Sequence, residues 1–332
     1  MKIVNAKKNT PIRFHFVVNP GGGSGRALQV WKTVEDIVKR KGVEYSVHFP
    51  TQSYLVHNIV HDLTNIGRRD SDVYLVVIGG DGTLNLAVNG IVNFDKTYMG
   101  LIPAGSGNDF VHSTNISGSY EDIVSRIIDV SSVRSLDLGV LKYNSCYDDQ
   151  GRKLHIENKT WLFNNAAGIG FDADVCVKVQ HSKLSERLSA LRLSRLAYLF
   201  AALPIFLHHQ GFSVDITVDK ENYHYDNVLF SVVMNEPYEG GGFKFCPDAT
   251  PFDGLLDSCV AHNIHRRDLP KLILKAFKGH HVGQRGIEIN RGHVYRIKTQ
   301  VPLWVQTDGE VEYRSDDITI SIRPKALKFL GL

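Results

Sequence analysis

The stretch Val73-Tyr74-Leu75-Val76-Val77-Ile78, followed directly by Gly79-Gly80-Asp81-Gly82-Thr83-Leu84-Asn85, decides how this chain folds. The first half is short, aliphatic and rich in β-branched residues, and reads as a buried strand. The second half runs into Leu86-Ala87-Val88-Asn89-Gly90, which reads as a helix stopped by glycine. The glycines therefore lie on a strand-to-helix turn, where they allow positive φ and close approach of a ligand to the main chain. The helix beyond offers N–H groups and the positive end of its dipole, which suits phosphate. Asp81 stands in the middle of this anion-friendly loop. It would repel phosphate unless a cation or a proton stood between them, and that conflict points to phosphoryl chemistry.

Two more loops of the same kind lie on either side. The strand at residues 12–18 runs into Asn19-Pro20-Gly21-Gly22-Gly23-Ser24-Gly25-Arg26, ahead of a helix over 26–41. No Gly-Lys-Ser/Thr follows, so it is not a Walker A loop, and it lacks the dinucleotide fingerprint spacing. Arg26 reads equally well as a phosphate partner or as a solvated helix residue. A second strand, 44–49, precedes Thr51 and a helix over 53–66. A fourth, 98–102, ends in Pro103-Ala104-Gly105-Ser106-Gly107-Asn108-Asp109-Phe110. One such loop is weak evidence. Three after successive strands of a parallel sheet converge on one crevice, where open α/β sheets place ligands. Asp81 also has a plainer reading, as the cap of the helix after it; its glycine neighbours favour function.

After residue 132 the rhythm changes. Strands are expected at 133–141, 160–168, 212–219, 223–234, 254–262, 286–299, 302–307 and 317–322, with Pro324 after the last. Helices are expected over 172–207 and 266–278, and a polar turn or insertion over 144–158. Many strands with few helices suggest an antiparallel sandwich.

The 332 residues suit two domains, with 43% hydrophobic and 22% charged residues. A net charge of +3, from 38 basic and 35 acidic side chains, argues against a nucleic-acid partner. Cys146, Cys176, Cys246 and Cys259 form no C-x-x-C pair, and without a leader-like N-terminus they read as reduced thiols of a cytosolic protein. The fifteen histidines show no zinc spacing. The longest apolar run, 197–207, is too short to span a bilayer, which needs roughly 20 residues. Lys183, Arg187, Arg192 and Arg195 are interspersed with leucines and aromatics but do not gather on one helical face, so a membrane-surface helix and a helix lining an acyl-chain pocket are both open.

The ordered set of motifs resembles the diacylglycerol kinase and sphingosine kinase superfamily in its compact bacterial form. It comprises residues 19–25, 79–85, 103–110 and 165–171, Pro247-Asp248-Ala249, Asp253-Gly254-Leu255-Leu256-Asp257, and Asp308-Gly309-Glu310. The resemblance implies a phosphofructokinase-like α/β nucleotide-binding domain (1–135 and 312–332) and an antiparallel β-sandwich (136–311). The C-terminal strand returns to the first domain, and ATP lies between the two. Asn19, Pro20, Gly21, Gly22, Gly23, Ser24, Gly25, Thr51, Gly80, Asp81, Gly82, Thr83, Leu84, Asn85 and Ser106 match nucleotide-contacting positions. Glu310 matches the general base that takes a lipid hydroxyl proton, although the residues alone read as a hairpin turn there. Asp81 matches the motif aspartate implicated in catalysis or in holding catalytic Mg²⁺. Asp253, with the carbonyls of Thr250 and Leu255, matches a second, structural Mg²⁺ site. Leu86 departs from a usual glutamate, Ala104 from a frequent leucine, and Ser106 from a common threonine.

The expected activity is ATP-dependent phosphorylation of a membrane lipid, diacylglycerol foremost, by a cytoplasmic protein peripheral to the inner face of the membrane. A second copy of the chain is a candidate partner. NAD kinase, which shares the Gly-Gly-Asp-Gly-Thr motif, and a catalytically silent lipid- or nucleotide-binding regulator are the competing readings.

Overall fold

The structure, a computed structural model, describes residues 12–23, 25–65, 71–105, 107–156, 158–180 and 211–332. The chain forms two compact units, residues 1–136 with 325–332 and residues 137–324.

The first unit is a parallel sheet covered by helices. In chain order it comprises β1 (Arg13–Val18), α1 (Arg26–Arg40), β2 (Glu44–His48), α2 (Leu55–Asn65), β3 (Val73–Gly79), α3 (Asp81–Gly90), β4 (Thr97–Pro103), α4 (Asp109–Thr114) and α5 (Tyr120–Ile128). The strand order is β2-β1-β3-β4, all parallel, and residues Lys328–Leu330 add a further parallel strand beside β4. Val76, Val77 and Ile78 are fully buried, as a strand covered on both faces requires. Helix α1 buries Ala27, Val30, Trp31, Val34, Ile37 and Val38, a stripe at helical spacing. A capping box starts α5: Ser119 Oγ accepts from the Asp122 N–H at 3.2 Å, and Asp122 accepts from the Ser119 N–H at 2.9 Å. The order reverses between β1 and β3, so the loops after these strands flank the crevice of a doubly wound sheet.

The second unit is built from antiparallel strands. It runs from β5 (Val133–Tyr143), which leaves the first unit, through β6 (Cys146–Tyr147), β7 (Lys153–Leu154), β8 (Thr160–Phe163) and β9 (Ala166–Gly170) to α6 (Phe171–Gln180). Then come β10 (Phe212–Val218), β11 (Glu221–Met234), β12 (Leu256–His262), α7 (Leu269–Ala276), β13 (Ile287–Gly292), β14 (Val294–Thr307) and β15 (Glu310–Leu330). The main path, β13-β12-β11-β10-β14-β15, is antiparallel throughout. Alternation along β12 sorts the core. Val260 joins Val233, Tyr295 and Ile318 on one face, while Cys259 and Ala261 join Leu229, Met234 and Leu269 on the other. The four cysteines are buried and form no disulfide.

Three expectations change here. The strands expected at 286–299 and 302–307 regroup as β13 and a long β14, whose register shifts between Lys298 and Leu303. The strand expected to stop at 322 continues to Leu330. Pro324 interrupts it without ending it: Lys325 takes φ of 50°, and the chain passes there into the first unit. Residues 312–324 accordingly lie in the second unit. The helix expected over 172–207 is seen to Gln180; residues 181–210, with the four cationic side chains considered above, lie outside the described residues.

Candidate active site

In the first unit the three glycine-bearing loops close on one another. Asn19, only 5% exposed, is their junction. Its Nδ2 donates to Thr83 Oγ1 at 3.1 Å and to Ser53 Oγ at 3.2 Å, and its Oδ1 accepts from the Gly21 N–H at 3.2 Å. The Ala104 N–H bonds the Gly79 carbonyl at 2.8 Å. Arg26 donates to the carbonyls of Ala104, at 3.2 Å, and Gly105. It therefore fastens the first loop to the third.

The glycines prove necessary chiefly for close approach. Gly80 is extended, with φ of −111°, and a β-carbon on it would lie 2.8 Å from Gly105 Cα. Positive φ belongs to the first loop, at Gly23 and Gly25, and a β-carbon on Gly23 would lie 1.9 Å from the Ala104 oxygen.

Asp81 does not cap its own helix. Its Oδ2 accepts from the Asp109 N–H and its Oδ1 from the Phe110 N–H, both at 3.1 Å, so it caps α4 from outside. Burial of the carboxyl raises its pKa, against the pull of these N–H groups. Asp109, itself buried, faces the same spot: a β-carbon on Gly107 would lie 3.4 Å from Asp81 Oδ2 and 4.0 Å from Asp109 Oδ2. These two carboxylates are the candidates in this unit for Mg²⁺, which takes one or two carboxylates and keeps several waters. Asp109 and Ser53 were absent from the sequence-derived site. Asp109 lies within the third motif and Ser53 two residues after Thr51, but only the tertiary closure brings their side chains in.

Among the other sequence-derived positions, Pro20 and Gly22 lie on the first loop, and Gly82 and the buried Thr83 lie in the first turn of α3. Leu84 and Asn85 are fully buried, so their side chains pack inside the unit. Thr51 is exposed on the turn after β2. Ser24 and Ser106 lie outside the described residues.

In the second unit Glu310 follows a two-residue hairpin between β14 and β15. Asp308 and Gly309, with φ of 48° and 84°, have the two left-handed residues of a type I′ turn. The hairpin expected from the residues alone is present, with Glu310 as the first residue of β15. Asp308 locks the turn: its Oδ1 accepts from the N–H groups of Asn165, at 2.8 Å, and Ala166, at 3.0 Å, and its Oδ2 from that of Asn164, at 2.8 Å. Gln306, fully buried, accepts from the Gly309 N–H at 2.9 Å. Glu310 keeps exposure, but partial loss of hydration, and then the Asp308 charge, raise its pKa.

The Thr250–Asp253–Leu255 turn fits a cation poorly. Asp253 Oδ1 accepts from the Leu255 N–H at 3.0 Å, and Oδ2 is paired with the Arg291 guanidinium. Arg291 Nε also lies 3.7 Å from Asp257. The positive charge at this turn is an arginine.

The second unit also holds an apolar cavity, partly open to solvent. Its wall includes Phe171, Phe230, Phe243, Phe245, Leu272 and Ile273. Among the described residues no helix is long and apolar enough to cross a membrane.

Comparison with known proteins bears on both units. Residues 13–141 match the diacylglycerol kinase catalytic domain, and residues 165–331 match the YegS C-terminal NAD kinase beta sandwich-like domain. The chain is 30% identical to "Putative lipid kinase YtlR" of Bacillus subtilis over 308 residues, covering 89% of this chain and 92% of that one. It is 26% identical to a diacylglycerol kinase of Mycobacterium tuberculosis over 95% of this chain and 93% of that one. The crystal structure of a "putative diacylglycerol kinase" from Bacillus anthracis shares the fold, with a TM-score of 0.71 at 19% identity over 96% of this chain and 95% of that one.

Proposed function

The chain belongs to the family of diacylglycerol kinase-type lipid kinases, and on that premise we propose that it transfers the γ-phosphate of ATP to the primary hydroxyl of diacylglycerol, giving phosphatidic acid. The observation that carries the lipid acceptor is the apolar cavity, which lies in the same unit as the hairpin bearing Glu310. A wall of this kind suits a hydrocarbon chain, and a soluble dinucleotide has no use for it.

In this reading the glycine-bearing loops meet the phosphates with those backbone N–H groups that are not already bonded within the unit, as those of Gly21, Gly22 and Ala104 are. Asp81 and Asp109 would hold Mg²⁺, which when bound offsets the charge of the transferring phosphoryl group. Glu310 accepts the hydroxyl proton, and its raised pKa brings it nearer the working pH of a general base. Asp308 and Gln306 fix where that carboxylate stands. The protein meets its substrate at a membrane surface, as a peripheral protein.

An assay with radiolabelled ATP, offering diacylglycerol in mixed micelles and NAD in parallel, tests the reading. Labelled phosphatidic acid is expected. Label in NADP and none in lipid would contradict it.

A further inference from the structure

Helix α7 has two unlike faces. Leu269, Leu272, Ile273 and Ala276 line the apolar cavity. The two polar side chains of that cavity's wall are engaged with protein: Asp172 accepts from Gln306 Nε2 at 3.1 Å, and His281 donates its Nε2–H to the Phe245 carbonyl at 2.9 Å. Polar recognition therefore falls to the other side of the helix. There Lys271, Leu274 and Lys275 stand at helical spacing. Lys278 continues the row in the closing turn, where its N–H bonds the Lys275 carbonyl at 3.0 Å.

The charge on this side is out of proportion to the rest of the chain. Residues 263–286 hold six basic side chains, Arg266, Arg267, Lys271, Lys275, Lys278 and Arg285, and one acidic, Asp268. The segment is +5 where the whole chain is +3, so the remainder is −2. Lys275 is half-buried and the other five are exposed. Among the described residues, Arg267 alone of the six has an acidic side chain within ion-pair distance, Asp268 at 4.0 Å. Lys275 donates instead to Gln284 Oε1 at 2.6 Å, which ties α7 to the loop after it. His265, Asp268, Lys271, Lys275 and Arg285 wall a polar groove, and Leu272 is common to this groove and the apolar cavity.

Apolar tips stand among these cations. Leu274 is 69% exposed, the most of any large apolar side chain among the described residues, and Val282 is 43% exposed. One exposed leucine is ordinary; two aliphatic tips within a block of unpaired cations are the pattern of a surface that meets lipid. A nucleic-acid backbone would use the cations but not the tips. Stacking on bases needs a free ring, and Phe277 is already stacked on Phe243, with centroids 4.1 Å apart.

We propose that the outer face of α7, with the flanking Arg266, Arg267 and Arg285, is the surface by which the protein docks on a bilayer of anionic phospholipid. The cations meet headgroup phosphates, and Leu274 and Val282 enter the interface. The assignment rests on the lipid-kinase reading for its purpose, since it gives the peripheral contact of that reading a place. Docking is measured without turnover, so either can fail alone.

The test is co-sedimentation of the full-length protein with vesicles of phosphatidylcholine, alone or mixed with phosphatidylglycerol. The wild type is expected on the mixed vesicles, to be released by raised salt, and to leave phosphatidylcholine alone nearly bare. The triple variant Lys271→Gln/Lys275→Gln/Lys278→Gln should lower the partition coefficient about 100-fold, at about fivefold for each cation. Leu274→Gln should lower it about fivefold to tenfold. Lys32→Gln/Lys220→Gln/Lys298→Gln, which removes the same charge elsewhere, should bind like the wild type. No wild-type binding to the mixed vesicles, equal binding to both kinds, or equal losses in the two triple variants overturns the proposal. So does retention of an RNA duplex by this face with no binding to vesicles. Where the first triple variant melts early, Lys271→Gln and Lys278→Gln decide singly, each at about fivefold. Docking as expected with no phosphorylation of diacylglycerol overturns the lipid-kinase reading and leaves the docking surface standing.

Discussion

Glu310 owes its place to the residues just before it. Asp308 spends its carboxylate on three backbone N–H groups and takes a left-handed conformation that aspartate tolerates and most residues do not. Asp308→Ala should lose about 3 kcal/mol of stability in denaturant melts, from the lost N–H contacts and the strained φ. Glu310→Gln should melt like the wild type and lose about 10²- to 10⁴-fold in kcat. Near-normal kcat would remove Glu310 from the base role. Because its pKa is raised, kcat should fall on acidification through a value above the usual glutamate range. Asp172 makes a separate prediction. Its folded-state pKa of about 7 exceeds the ordinary 3.8, so the folded state holds an extra proton between those values. That stability is present at low pH and lost as pH rises towards 7. Asp172→Asn cannot ionise, and melts at pH 4 and pH 8 should show it gaining on the wild type only at the higher pH. The sequence made Asp308-Gly309 legible as a turn and, through family resemblance, Glu310 as a base. It could not show Gln306 or Asp172. A lone Asp at a helix start reads as a cap, and its neighbours come from strands far away in the chain.

At the scale of elements, the parallel sheet was legible because strands alternate with helices and the inner strand β3, buried on both faces, stands out as an unbroken apolar run, whereas β1 alternates and β2 is only half-buried. The loops between them were legible as glycine-rich turns, but not the reason for the glycines. Gly80 and Gly105 are needed because two loops touch backbone to backbone, a contact between segments twenty-five residues apart. Gly80→Ala should therefore push these loops apart while β3 and α3 persist. The expected outcome is a folded protein whose melting temperature no longer rises with Mg-ATP; an undiminished shift would show that the contact is dispensable. The last strand was misjudged for a physical reason as well. Proline ends most strands, but here its missing N–H coincides with the φ of 50° at Lys325, where the chain leaves one unit for the other.

At the scale of the molecule, the chain opens and closes in the first unit, and the antiparallel unit stands between those two segments. The two-domain plan was legible from the change of rhythm after residue 132. The second metal site implied by resemblance was less so, since Arg291 comes from a strand nearly forty residues beyond Asp253. With an arginine supplying the charge, Arg291→Ala should lower the melting temperature and make it more sensitive to Mg²⁺ than that of the wild type, as Asp253 and Asp257 lose their counter-charge. A wild-type response to EDTA that Asp253→Asn abolishes and Asp81→Asn leaves unchanged would instead place a cation at this turn. The central claim, however, is a chemical one: a lipid hydroxyl is phosphorylated with Glu310 as base. The most direct measurement is the identity of the labelled product when diacylglycerol, a sphingoid base and NAD are offered together with radiolabelled ATP to the wild type and to Glu310→Gln. Labelled phosphatidic acid from the wild type, lost in Glu310→Gln, is the predicted result; labelled NADP, or phosphatidic acid formed equally by both proteins, would contradict it.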